Sequence, residues 1–376
     1  MRVAWLFEYP TLHGGEYSLL ATLPYLRSAG VEAVALAPAL GPLAERLRRE
    51  NVEIIPFETL DGADRKSPQP ELRARLAERL LEIKPDLLHA NSLAMGRLSG
   101  PVAADLRLPG LSHLRDIIKL SAAAVADLNR HVRLLAVSRA TRDFHAAQGL
   151  AAEKLRVLYN GIDLQEFHPR APSGWLHARL GLPADAPLVG AIGQLVMRKG
   201  HDVLARAAAG LAARLPLAHW ILAGARYSQK PEAVEYEAAL RRTFAASMSG
   251  RVHFLGTLET IADLLPELTM LIHPSRQEPL GRVLLEAAAS GVACIATDVG
   301  GTREIFPPAE SAARLVPAGD AEALAAAIAE LMQNPEERAR LGLAARRRAE
   351  AAFDIRQAAA GLVRHYRDAR GSGVPA

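Results

Sequence analysis

The residues best suited to chemistry lie in one short stretch, His273-Pro274-Ser275-Arg276-Gln277-Glu278-Pro279-Leu280-Gly281-Arg282-Val283-Leu284-Leu285-Glu286-Ala287. Two carboxylates, Glu278 and Glu286, stand eight positions apart in it. A carboxylate accepts several hydrogen bonds at once, which suits the neighbouring hydroxyls of a sugar or a ribose. Pro279 and Gly281 mark a tight loop after a strand that ends near His273, and a Leu- and Ala-rich helix follows. Backbone amides at such a helix start attract an anion such as a diphosphate. A plainer reading makes Glu278 a helix cap and Glu286 a surface residue. Against it, Glu286 is flanked by Leu284, Leu285 and alanines, where an unpaired carboxylate is costly.

A second phosphate element is Gly193-Gln194-Leu195-Val196-Met197-Arg198-Lys199-Gly200, directly after another strand-like run. A departing diphosphate gains negative charge, so a cation aimed at it stabilises the transition state more than the ground state. Lys199 is the candidate for that cation, with Arg198 beside it. Near the N-terminus, His13-Gly14-Gly15-Glu16 follows the first apolar run. Gly14 and Gly15 would let backbone approach a ligand closely, although an ordinary turn reads the same way. His113, in Ser112-His113-Leu114-Arg115-Asp116, sits at a strand end and could donate to a sugar or phosphate oxygen. His89 and Asn91, after the preceding strand, could face an acceptor. No Asp-x-Asp pair and no His-Glu-x-x-His occurs, so no metal and no cofactor is expected. Dinucleotide and Walker-type glycine spacings are also missing, which argues against a dehydrogenase and an ATPase.

The elements that position these residues alternate along the chain. Apolar, strand-like runs fall at Val3–Tyr9, Glu32–Ala37, Glu53–Phe57, Asp86–Ala90, Gly110–Leu114, Leu134–Ser138 and Arg156–Tyr159. Amphipathic segments lie between them; Leu72–Ile83 carries its apolar residues at Leu72, Leu76, Leu80 and Ile83. The chain turns at Asn160-Gly161-Ile162-Asp163, and Phe167–Gly174 reads as a linker. The pattern then restarts, with runs at Leu188–Gly193, His219–Ala223, Val252–Gly256, Met270–His273, Ala293–Thr297 and Arg314–Val316. Repeated strand, helix, strand implies parallel sheets covered on both faces. The expected organisation is an α/β chain of two Rossmann-like, doubly wound domains facing across a cleft. One spans 1–168 and one spans 169–354. Residues 355–376 would form a helix, carrying Leu362, Val363 and Tyr366, that crosses back to the first domain, plus a disordered tail from Gly371. Ligands of such sheets bind beyond the carboxyl ends of the strands, where the candidate residues cluster.

Together these motifs resemble glycosyltransferase family 4. The resemblance rests on Glu278-Pro279-Leu280-Gly281 with Glu286, and on Ala296-Thr297-Asp298-Val299-Gly300-Gly301-Thr302-Arg303-Glu304-Ile305. The early Gly-Gly loop, the Asn160–Asp163 turn, Lys199-Gly200 and Val252-His253-Phe254-Leu255-Gly256 follow in the same order. It implies the GT-B fold, with 1–168 on the acceptor side and 169–354 on the nucleotide-sugar side, and transfer from a nucleoside-diphosphate sugar with retention at the anomeric carbon. It also implies that Glu278 contacts the donor sugar, Glu286 binds the ribose, and His113 lies near the reacting carbon. Gly14, Gly15, Leu280, Gly281 and Arg282 join the nucleotide-sugar site on the same ground. Family members usually carry Arg where this chain has Gln194, so one expected charge is missing, and Arg198 could compensate. The acceptor would be a hydroxyl of a glycan, a lipid-linked saccharide or a small molecule, in cell-envelope or polysaccharide biosynthesis. A sugar-nucleotide epimerase and a non-catalytic partner subunit are the alternatives.

The 376 residues suffice for two domains. A formal charge of +4 is too mild to point to nucleic acid. Cys294 is the single cysteine, within Val292-Ala293-Cys294-Ile295-Ala296; it reads as a small buried apolar residue and excludes an internal disulfide framework. A cytoplasmic location fits. Glu8 interrupts the first apolar run too early for a signal peptide, and no uncharged apolar run is long enough to span a bilayer. Arg346-Arg347-Arg348 reads as a solvated helix face. Leu120–Leu135 could form an amphipathic helix touching the inner membrane face, or simply a packed surface helix.

Overall fold

The computed structural model describes residues 1–60, 65 and 67–371; the tail expected beyond Gly371 lies outside the described residues. Among the described residues, thirteen strands run in chain order: β1 Arg2–Leu6, β2 Glu32–Ala37, β3 Glu53–Pro56, β4 Leu87–Ala90, β5 Gly110–Leu114, β6 Arg133–Ala136, β7 Leu155–Val157, β8 Leu188–Ile192, β9 His219–Ala223, β10 Val252–Gly256, β11 Met270–His273, β12 Cys294–Thr297 and β13 Arg314–Val316. Each lies on a run expected from the sequence. The central strands are buried on both faces and mostly apolar, as expected of strands covered by helices on either side.

The chain divides into two compact units. The first comprises Met1–Gly161 and Ile355–Ala376, and the second Ile162–Asp354. The 167–174 segment, expected as a linker, therefore lies inside the second unit. Seven parallel strands form the first sheet, in the order β3-β2-β1-β4-β5-β6-β7. Six parallel strands form the second, in the order β10-β9-β8-β11-β12-β13. The order reverses between β1 and β4 in one sheet and between β8 and β11 in the other. In doubly wound sheets, loops diverge at such a point and leave a crevice at the strand ends.

Alternation along β1 shows how each sheet is sandwiched. Val3, Trp5 and Phe7 join a core with Leu362, Val363 and Tyr366 of the last helix, Ile355–Gly371. Ala4 and Leu6 face a second core with Leu72, Leu76, Leu80 and Ile83 of the helix Gln69–Ile83. Serines close the helix starts at strand ends: Ser92 accepts from the Met95 amide, Ser121 from Ala124 and Ser138 from Thr141. Such caps contribute about 1 kcal/mol each.

Two expectations change. The segment 120–135 is not one helix: a short helix, Ala122–Leu128, stops before β6, and Leu134 and Leu135 are sheet core. Nor is the arginine cluster simply a solvated face. Within the helix Pro335–Ala352, Arg346 donates to the carbonyls of Phe167 and Ala289, and Arg348 to those of Glu304 and Ile305. Their spacing lets them pin the helix to the rest of its unit, and only Arg347 remains exposed.

Candidate active site

In the second unit, β8 and β11 lie side by side and each ends in a loop that leads to a helix. After β8 comes Gly193–Gly200, whose residues Met197–Lys199 form a tight turn before the helix His201–Leu211. Gly200 adopts φ +68°, and a Cβ there would stand 1.9 Å from the Pro274 carbonyl oxygen. Only glycine lets the two loops touch this closely. Arg276 staples them further. Its amide donates to the Arg198 carbonyl at 2.8 Å, and its guanidinium donates to the Met197 carbonyl and forks onto Asp202. Tyr236 completes the support by donating to Asp202 at 3.0 Å.

The staple brings Lys199 and Glu278 together from 79 positions apart. Lys199 Nζ lies 2.5 Å from Glu278 Oε2; His273 Nε2 reaches the same oxygen at 2.7 Å, and Ser275 Oγ at 3.4 Å. A carboxylate only accepts, so His273 carries its proton on Nε2. Burial alone would raise the Glu278 carboxyl, but the Lys199 ammonium and the His273 hydrogen bond outweigh it and hold it well below the usual range. Glu278 is thus a buried carboxylate rather than a helix cap. Gly281, at φ +106°, starts the helix Arg282–Ala289 with no side-chain cap. Leu280 is buried beneath that turn. The Glu278 carbonyl also accepts from the Gly301 amide at 2.9 Å.

Glu286, in the same helix, is buried and receives Arg282 Nε at 2.7 Å. Burial pushes its carboxyl above the usual value despite that partner. The two carboxylates therefore differ in electrostatic setting: Glu278 is firmly ionised, whereas Glu286 is held closer to protonation. Arg198 is exposed, and the Gln194 carbonyl lies 3.3 Å from buried His201 Nε2.

The first unit carries a second polar cluster, at the β1/β4 reversal. Gly14 and Gly15 open the helix Gly14–Leu20. A Cβ on Gly15 would meet Arg115 Cδ at 2.8 Å, so its bareness makes room for a side chain of this chain. Arg115 donates to Asn91 Oδ1 through Nε and Nη2, to Asn160 Oδ1 at 2.9 Å, and towards His113 Nδ1 at 3.2 Å. Asn91 Nδ2 lies 3.4 Å from Glu16 Oε1. His89 is wholly buried, with Nδ1 2.6 Å from the Tyr366 hydroxyl and Nε2 2.8 Å from His113 Nδ1. His89 and Asn91, expected to face an acceptor, are both buried, and both make polar contacts inside the unit.

Among the described residues, no group of three His, Cys, Asp or Glu is placed to hold a metal ion, and no helix is long and apolar enough to cross a membrane. Cys294 is buried.

Two doubly wound parallel-sheet units with this strand order constitute the GT-B architecture of glycosyltransferases. The structure of Anabaena HepE in complex with UDP-glucose matches it with a TM-score of 0.86 over 98% of this chain and 100% of that one, at 24% identity. The family model "Glycosyltransferase Family 4" matches residues 12–166, and "Glycosyl transferases group 1" matches residues 176–348. A GDP-mannose-dependent alpha-mannosyltransferase of Mycobacterium tuberculosis is 30% identical over 92% of this chain and 91% of its own length. A D-inositol 3-phosphate glycosyltransferase of Xylanimonas cellulosilytica is 32% identical over 59% of this chain and 53% of its own. The chain belongs to glycosyltransferase family 4.

Sequence reasoning missed His273 and Ser275 as partners of Glu278, Arg276 as the loop staple, and Tyr366 as a polar rather than purely apolar residue. His273 and Ser275 were within reach, since both lie within five positions of a buried carboxylate. Nothing local marks Tyr366, whose partner His89 is 277 positions away.

Proposed function

We propose that the chain transfers a sugar from a nucleoside-diphosphate sugar to an acceptor hydroxyl, with retention and without a metal ion. The observation that carries this reading is the buried Lys199–Glu278–His273 cluster at the sheet reversal, beside a helix start with no side-chain cap. An ammonium has further N–H donors beyond the one Glu278 takes. Lys199 can therefore hold a phosphate oxygen while staying paired, and Arg198 adds charge where Gln194 is neutral. The three contacts on Glu278 converge on Oε2, which leaves Oε1 for the sugar hydroxyls. Glu286, buried and paired with Arg282 at 2.7 Å, suits the paired hydroxyls of a ribose, with Arg282 setting its orientation. Leu280, Gly281 and the amides that follow approach the diphosphate, as helix starts do for anions. On the first unit, His113 offers a hydrogen bond to substrate.

Charge supplied by Lys199 and the helix amides does the work that a divalent ion does elsewhere. A donor phosphate oxygen takes the acceptor proton, because Glu278 is bound into its cluster and too acidic to serve as a base. The likeness to a GDP-mannose-dependent enzyme supports a nucleoside-diphosphate sugar as donor, and the likeness to an enzyme named for D-inositol 3-phosphate supports a small hydroxylated acceptor. The test is thermal stabilisation by UDP-, GDP- and ADP-sugars, wild type beside Glu286→Ala, with EDTA present. One nucleotide class raising the melting temperature of wild type but not of the variant supports the reading. No shift by any sugar nucleotide at millimolar concentration removes it.

A further inference from the structure

The polar network of the first unit begins and ends on groups that can only donate. Trp5 Nε1 donates to the Tyr366 hydroxyl at 3.1 Å, and Arg115 Nη2 lies 3.2 Å from His113 Nδ1. Between these ends stand Tyr366, His89 and His113, joined at 2.6 Å and 2.8 Å. Indole and guanidinium nitrogens have no acceptor capacity, so the protons between them have one consistent arrangement. Arg115 requires a lone pair on His113 Nδ1. His89 Nε2 must then carry a proton, because two lone pairs would otherwise face each other. That leaves a lone pair on His89 Nδ1, to which Tyr366 donates its hydroxyl proton while accepting from Trp5. The proton of His113 is therefore on Nε2. No other hydrogen bond of His113 occurs among the described residues, so the Nε2–H edge is the one left for a ligand.

We propose that Tyr366 and His89 are positioning residues, which lock His113 as an Nε2–H donor aimed at substrate. The proposal rests on the reading of His113 as a substrate-contacting residue. Both imidazoles are fully buried, and burial, followed by the Arg115 charge, lowers both pKa values well below the ordinary histidine value. Both rings are therefore neutral at working pH, and the variable the network controls is which nitrogen holds the proton. The packing of the rings, tilted by 39° for His89 and His113 with centroids 4.9 Å apart and edge-on for His89 and Tyr366 with centroids 5.6 Å apart, constrains the direction of the bond as well.

The test uses full-length protein labelled with 15N-histidine, with long-range 1H–15N spectra reporting the protonated nitrogen of each ring. Wild type should show His113 protonated on Nε2 and His89 protonated on Nε2. Tyr366→Phe keeps a ring in the core but removes the donor to His89 Nδ1, and should make the His89 signals a mixture of tautomers. In turnover, His89→Leu should lower kcat about 10-fold or more, the scale on which groups that orient an active imidazole act, with the KM of the donor unchanged. His89→Gln, which returns an N–H to the Nε2 position, should recover most of the loss. A wild-type His113 protonated on Nδ1 overturns the proposal, as does a folded His89→Leu protein with wild-type kcat. If His113→Ala turns over normally while the spectra show the Nε2–H form, the reading of His113 as a substrate contact fails, and the positioning role fails with it. If the spectra hold and no sugar nucleotide is turned over, the fault lies in the donor reading instead.

Discussion

Replacing Lys199 by Met is the sharpest probe of the second unit. Nζ and Oε2 are 2.5 Å apart, with the side chains 14% and 6% exposed. Solvent screening is therefore slight. Removing the ammonium leaves Glu278 buried with only His273 and Ser275 for support. Stranding one member of a buried pair costs about 3–5 kcal/mol. For a unit of this size that is about 2–4 °C per kcal/mol, hence about 6–20 °C on its melting transition. The pH dependence fixes the cause. In wild type the Glu278 carboxyl is depressed, so its contribution is present above the unfolded carboxylate pKa and is lost only as pH falls through a lower, folded value. In Lys199→Met the term that remains largest is burial, which raises the pKa. The gap between variant and wild type should then be widest near neutrality and shrink as pH falls through the ordinary carboxylate range, where Glu278 can protonate. Calorimetry or urea unfolding at pH 7 and pH 5 reads both effects. Lys199→Met/Glu278→Gln should recover much of the loss, giving a coupling well above zero in a double-mutant cycle. A loss under about 1 kcal/mol with additive single effects would refute the reasoning, because exposed pairs behave that way.

Further outcomes follow from single positions. Gly200→Ala should cost the left-handed penalty of about 1–2 kcal/mol plus the clash with the Pro274 carbonyl, whereas Gly250→Ala, at φ +75° with nothing within 4 Å, should cost only the former; urea midpoints compare them. Cys294 is pushed up to about 12 by burial, so iodoacetamide should label it only after denaturant is added, as mass spectrometry can follow. Glu286→Ala removes a buried carboxylate held above its usual pKa, so it should unfold at or near the wild-type temperature without ligand while losing about 10-fold or more in nucleotide affinity by calorimetric titration.

The strands were legible because a strand buried on both faces is largely apolar, and a run such as Leu188–Ile192 offers no polar residue to turn towards solvent. The candidate residues were legible where chemistry sits next to chain geometry. Glu278 and Glu286 flank a loop that begins a helix, and Lys199 precedes a glycine that a left-handed turn requires. What stayed hidden depends on the meeting of distant segments. His89 read as a ligand-facing residue from its place at a strand end, but no local signal reveals that it bonds Tyr366, 277 positions away. Arg346 and Arg348 read as solvated because helical spacing does not tell a guanidinium in water from one capping a neighbour's carbonyls. The 120–135 segment misled because its apolar residues serve two elements in turn, a short helix and then β6.

The last helix has a further bearing on how the protein comes into being. Trp5 and Tyr366 are 361 positions apart, yet both belong to the first unit's core, and the whole second unit is made between them. At about 5–20 residues per second, β1 waits about 20–70 s on the ribosome for the helix that covers one of its faces. The second unit, continuous in sequence, needs no such delay. Although most of it is encoded first, the first unit completes its core after the second, its Trp5 and Phe7 face packed on Leu19, Leu23 and Leu43 but lacking Leu362 and Tyr366 until that helix emerges.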